Sequence, residues 1–104
     1  MNGENHKWTF FTNHSHVLFY IYFHPELPMR DIARKVGITE RAVHSIIKDL
    51  EEVGVITVTK VGRNNSYQVN RDIPLRHKIE AHRNTSDLLD FIGMPEAKPE
   101  EGAS

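Results

Sequence analysis

At about 100° per residue, Arg41, His44, Ser45 and Lys48 fall on one side of a helix, opposite the apolar stripe Val43, Ile46, Ile47, Leu50 and Val53. Guanidinium, imidazole, hydroxyl and ammonium groups at these positions form a face of hydrogen-bond donors suited to base edges and phosphates. A further arginine, Arg63, stands among Gly62, Asn64 and Asn65, residues that accept positive φ at a hairpin tip. An arginine there can enter a minor groove, where narrow width concentrates negative potential. Thr39, Arg30 and Asn64 complete the candidate set of DNA contacts, and Arg30, Arg34 and Lys35 are candidate backbone clamps on the preceding helix.

Other chemistries find less support in the residues. With no cysteine there is no thiolate nucleophile and no cysteine-based zinc or iron–sulfur site. The seven histidines raise a metal reading, but His14 and His16 are two apart and His77 and His82 five apart, so neither pair has the i, i+4 spacing of ligands on one helix face. No metal or other cofactor is therefore expected. There is no glycine-rich phosphate loop, no G-x-S-x-G and no pair of carboxylates beside a base, so the expectation is a non-enzyme. The aromatics Phe19, Tyr20, Tyr22 and Phe23 can line a small-molecule pocket, yet at helical spacing they read first as core and subunit seam. Any effector stays unknown at this level.

The elements that must position the donor face are punctuated by Asn13, Pro25, Pro28, Gly37, Gly54, Gly62 to Asn65 and Pro74. Asn13 is placed to cap a helix from His14 to Phe23, which is apolar on every side. Such a helix needs cover on more than one face, and a second subunit is the expected source. Met29 to Val36 is a second helix that Gly37 ends, and Thr39 caps a third from Glu40 to about Val53. Val55 to Val61 and Ser66 to Val69 read as the strands of a hairpin whose turn is Gly62 to Asn65. Leu75, Ile79, His82, Ser86 and Leu89 fall on one stripe, widened by Leu88, Phe91 and Ile92, predicting a terminal helix from Arg76 to Ile92. Trp8, Phe10 and Phe11 fit either an extended arm or a short strand.

Length bounds the organisation. At 104 residues the chain is one small domain with a modest core that often leans on a partner subunit. The reading is an arm over 1–12, a DNA-binding domain over 13–71, a dimerisation helix within 72–93 and a disordered Pro/Glu/Ala/Gly tail over 94–104. The expected seam comprises Val17, Phe19, Tyr20, Ile79, Leu88, Leu89, Phe91 and Ile92. The longest apolar run, Val17 to Phe23, is far short of the ~20 residues that span a bilayer, and no secretory signal is visible. A cytoplasmic protein without a membrane partner is expected. The net charge of −1 hides an asymmetry: Pro28 to Arg71 carries eight basic against five acidic residues, and the tail carries Glu96, Glu100 and Glu101 against Lys98.

Helix, helix, glycine turn, amphipathic helix, basic-tipped hairpin and helix, in that order, make a mainly α chain with a small β-hairpin. This is the winged helix-turn-helix arrangement of three-helix core, wing and C-terminal helix. The stretches WTFFTNHSHVL, RDIARKVGITERAVHSIIKDLEEVGVI, GRNNSYQV and PLRHKIEAH resemble the winged helix-turn-helix transcriptional regulators of the broad MarR/ArsR type, with the likeness covering residues 8–92. The resemblance implies a cytoplasmic, homodimeric regulator that binds double-stranded DNA at a pseudo-palindromic operator. The chain departs from ArsR-type metal sensors in lacking cysteine and from longer MarR-type proteins in being short at both ends. A winged helix that binds protein instead of DNA, or a His-based metal-responsive regulator, are the alternative functions.

Overall fold

The computed structural model describes residues 8–62 and 64–93. Its elements are α1 (Asn13–Phe23), α2 (Met29–Val36), α3 (Glu40–Glu52), β1 (Ile56–Val61), β2 (Asn64–Val69) and α4 (Thr85–Ile92). The order of these elements is that of a winged helix.

α1 is capped by Thr12, one residue ahead of the expected Asn13: the Thr12 hydroxyl accepts from the Ser15 amide at 3.3 Å. Asn13 is already helical, its side-chain oxygen 3.3 Å from His16 Nδ1. The helix is sandwiched between α2, α3 and β2, which bury Val17, Leu18, Phe19 and Ile21. Phe11 adds a T-shaped contact to Phe19 at 5.8 Å between ring centroids. The protomer itself therefore buries Val17, Leu18, Phe19 and Ile21 of this all-round apolar helix and covers Tyr20, Tyr22 and Phe23 in part.

The tight connection between α2 and α3 follows its residues closely. Gly37 adopts φ +90°, and the amides of Gly37 and Ile38 both donate to the Ala33 carbonyl, closing α2 as only a left-handed residue allows. Two residues on, the Thr39 hydroxyl accepts from the Ala42 amide at 3.0 Å and opens α3. Val43, Ile46, Ile47 and Leu50 then point into a core shared with Ile32, Ala33, Val55 and Ile56. After α3, Gly54 at φ +85° turns the chain into the hairpin.

β1 and β2 pair antiparallel from Ile56 opposite Val69 to Val61 opposite Asn64. Asn64 and Asn65, expected in the turn, belong to β2, where their backbones pair with Val61 and Lys60, and Gly62 at φ +63° turns the chain after β1.

The largest correction concerns the last helix, which spans Thr85–Ile92 and not Arg76 to Ile92. Asn84 starts it: its side chain accepts from the Asp87 amide at 3.0 Å while the Asp87 carboxylate accepts from the Asn84 amide at 3.1 Å. Upstream, Pro74 bridges Asn84 and the Leu75 amide donates to the Arg83 carbonyl, folding residues 75–83 into a closed loop. Reciprocal capping at Asn84 and Asp87, with the Thr85 hydroxyl donating to the Asn70 carbonyl at 2.7 Å, outweighs an apolar stripe that had nothing to pack on upstream of it. Leu89 is fully buried in the same core as α1 and α3. No helix among the described residues is long and apolar enough to cross a membrane.

Candidate nucleic-acid interface

The stripe that buries one side of α3 turns Arg41, His44, Ser45 and Lys48 outward, and all four are exposed. With Ile47, Glu51 and the β1 residue Val58 they line one open hollow of about 570 Å³. The wing strand thus forms a second wall beside the donor face. Arg41 lies in the first turn of α3, where free backbone N–H groups and the helix dipole add positive potential. Among the described residues Arg41 and Lys48 have no ion-pair or hydrogen-bond partner, so their donors stay available.

The other nominated residues fall in several places. Arg30 is exposed in the first turn of α2 and has no ion-pair partner among the described residues, whereas Thr39 has its hydroxyl engaged in capping α3. Asn64 pairs with Val61 through the β2 backbone. Arg63 lies outside the described residues, as do positions 1–7 of the expected arm and the expected tail over 94–104. Arg34 is held by Asp31 at 2.9 Å on its own helix.

Two further basic residues stand outside the expected set of contacts. Arg71, counted among the basic residues of the central stretch, is turned away from α3. Its guanidinium donates to the Tyr22 hydroxyl, to Ser86 Oγ at 2.8 Å and to the Asp90 carboxylate at 2.6 Å, and it sits over the Tyr22 ring. The Asp90 hydrogen bond raises its pKa above the ordinary arginine value against an opposing desolvation, so it is a permanently charged tie of the segment after β2 to α1 and α4. Its partners lie 49, 15 and 19 residues away, beyond any periodic signal. Lys60 is the second. Alternation along β1 puts it on the face of Ile56 and Val58, toward the hollow, and it is exposed. Extending the strand's period from its buried end finds it from sequence.

The far end of α3 is acidic, with Asp49, Glu51 and Glu52 exposed. Asp49 is joined to α1 by His14 Nε2 at 2.8 Å, a bond between side chains that are each about half exposed. Donors are therefore concentrated in the N-terminal two-thirds of the helix, where the one carboxylate is that of Glu40, exposed in the first turn. Among the described residues no group of three His, Cys, Asp or Glu side chains is placed to hold a metal ion.

The expected subunit seam divides. Val17, Phe19 and Leu89 are consumed by the protomer core and cannot meet a partner in this conformation. Ile79 and Phe91 are each 76% exposed, while Tyr20, Leu88 and Ile92 are partly covered. Leu75, Leu88 and Phe91 line a mostly apolar hollow of about 350 Å³ flanked by Arg83, Asp87 and Asp90.

With the site described, comparison with known families is informative: residues 12–57 match the family of winged helix-turn-helix DNA-binding domains. The matched segment runs from the Thr12 cap through α3 to the start of β1 and so contains the whole donor face. No curated protein and no solved structure matches the chain.

Proposed function

We propose that the protein is a sequence-specific DNA-binding transcriptional regulator that acts as a homodimer on a pseudo-palindromic operator, in the manner of MarR/ArsR-type proteins. One observation carries the reading: the exposed donors of α3 are unpaired among the described residues and share a hollow with the wing strand, while Arg34 and Arg71 are tied down elsewhere. Helix α3 enters the major groove by its N-terminal half, with Arg41 bidentate to a guanine and His44 and Ser45 on neighbouring bases. Lys48, Arg30, Lys60 and the capping turn at Thr39 approach phosphates, and Arg63 with Asn64 brings the wing to the minor groove.

Dimerisation is supported by the apolar hollow of Leu75, Leu88 and Phe91, beside which Phe91 projects. A knob next to a hole on one face is self-complementary under a twofold axis. Tyr20 and Ile92 widen the seam. Two copies of α3 then stand about one DNA turn, ~34 Å, or a multiple apart.

The test is selection of bound sequences from random duplexes with the purified full chain. Enrichment of an inverted repeat with half-sites about 10 base pairs apart is expected. Enrichment of nothing above input overturns the reading and leaves a protein-binding winged helix as the account of the fold.

A further inference from the structure

The loop over residues 75–83 replaces the helix expected there; its two ends, Leu75 and Arg83, border the apolar hollow, and the residues between them have no role in the reading above. It is closed at its neck by the Pro74–Asn84 bridge and the Leu75–Arg83 hydrogen bond. Two internal turns hold it, Glu80 N to His77 O and Arg83 N to Glu80 O, both 2.9 Å. The Ile79 amide also donates to His77 Nδ1 at 3.2 Å. Every residue from 76 to 83 is exposed, so the loop is fixed by its own backbone and buries nothing of its own. Its charge is one-sided: Arg76, Lys78 and Arg83 face a single acid, Glu80. Among the described residues Arg76 and Lys78 have no ion-pair partner, and Arg83 reaches Asp87 only at 4.0 Å.

A fixed, exposed cluster of cations in excess over its acids is an electrostatic footprint for a polyanion. We propose that this loop is a second phosphate-binding surface, which grips the phosphodiester backbone of DNA flanking the base pairs read by α3. The inference rests on the DNA-binding reading of the preceding subsection. Position supports it. The C-terminal segment packs at the end of α3, where the Asn70 side chain donates to the Gly54 carbonyl at 3.5 Å and Ile73 lies against Gly54. Helix α3 has 13 residues and is about 20 Å long, and the segment that leads into the loop is anchored at its acidic end, past the span in which α3 itself offers cations.

The experiment is the salt dependence of binding at a fixed pH, on a duplex selected by the wild-type chain and carrying ten flanking base pairs on each side. Each phosphate contact contributes about 0.9 to the slope of log K against log salt. The variant Arg76→Ala/Lys78→Ala/Arg83→Ala is expected to lower that slope by about 2 to 3 per protomer and to leave base preference unchanged. Lys78→Ala alone, at a side chain with no described partner, is expected to lower it by about 1 and guards against misfolding of the triple variant. Trimming the flanks should abolish the difference between variant and wild type. A folded variant with wild-type slope and affinity on the flanked duplex overturns the proposal and leaves an acidic protein as the loop's partner. Failure of the underlying reading has a different signature: the wild type then shows no sequence preference on any duplex.

Discussion

Residues 12–57 and residues 70–93 contribute to one core but are shaped by different information. In the first region each boundary is decided within a few residues. Thr12 and Thr39 cap their helices through hydroxyls, Gly37 and Gly54 supply positive φ, and the α3 stripe repeats at helical spacing. In the second the decisive contacts cross the chain. Arg71 joins Tyr22, Ser86 and Asp90, Thr85 bonds Asn70, and Pro74 bridges Asn84. Apolar periodicity is a sound guide where the stripe has a core to meet. It misleads where the chain can satisfy its backbone by closing on itself, as it does over residues 75–83.

The contrast can be broken most severely at Leu89, which is the point where the second region enters the shared core. Leu89→Ala should destabilise the fold by about 2 to 5 kcal/mol in urea denaturation, the usual cost of a large-to-small change at a fully buried site. It should do so in a single transition. A loss below about 0.5 kcal/mol, within the range of surface changes, would mean that α4 is peripheral to a core completed by residues 12–57 alone.

How far the sequence was legible follows the same division. The bounds of α2 and the start of α3 were readable to the residue, since Gly37 and Thr39 state their own conformations. So was the outward face of Arg41, His44, Ser45 and Lys48, which is the geometric complement of a buried stripe. The cap of α1 was missed by one residue because threonine and asparagine adjoin and both cap well. Confinement of Val17, Phe19 and Leu89 to the protomer was not readable, because a buried seam between subunits and a buried core within one have the same apolar pattern. Nor was the withdrawal of Arg71, whose role is set by three partners that folding alone brings together.

Arg71→Met sharpens the comparison without removing a core side chain. Amides of α4 should exchange with solvent faster, and those of α2 and α3 should keep their protection. Equal deprotection of all four helices would show that the two regions unfold as one. Asn84→Ala removes the reciprocal cap and should cost about 1 kcal/mol of stability in the same denaturation, a typical N-cap loss. The amides of Thr85, Ser86 and Asp87 should be the ones deprotected. The smallest effect belongs to His14→Ala. Its bond to Asp49 joins two half-exposed side chains, and a loss of roughly 0 to 1 kcal/mol is expected from thermal denaturation. A larger loss would place the His14–Asp49 link among the determinants of the helix-turn-helix core.

The central claim, that the exposed face of α3 reads DNA, is tested most directly at Arg41. The measurement is the affinity of wild type and Arg41→Ala for the selected duplex and for every single-base variant of one half-site, by fluorescence anisotropy at fixed salt. Loss of a bidentate arginine should flatten preference at one base pair by roughly 1 to 3 kcal/mol and spare the others. Circular dichroism should be unchanged, because Arg41 has no partner to lose among the described residues. An Arg41→Ala variant that folds normally and keeps both affinity and preference at every position would contradict the account, and α3 would not be the reading head.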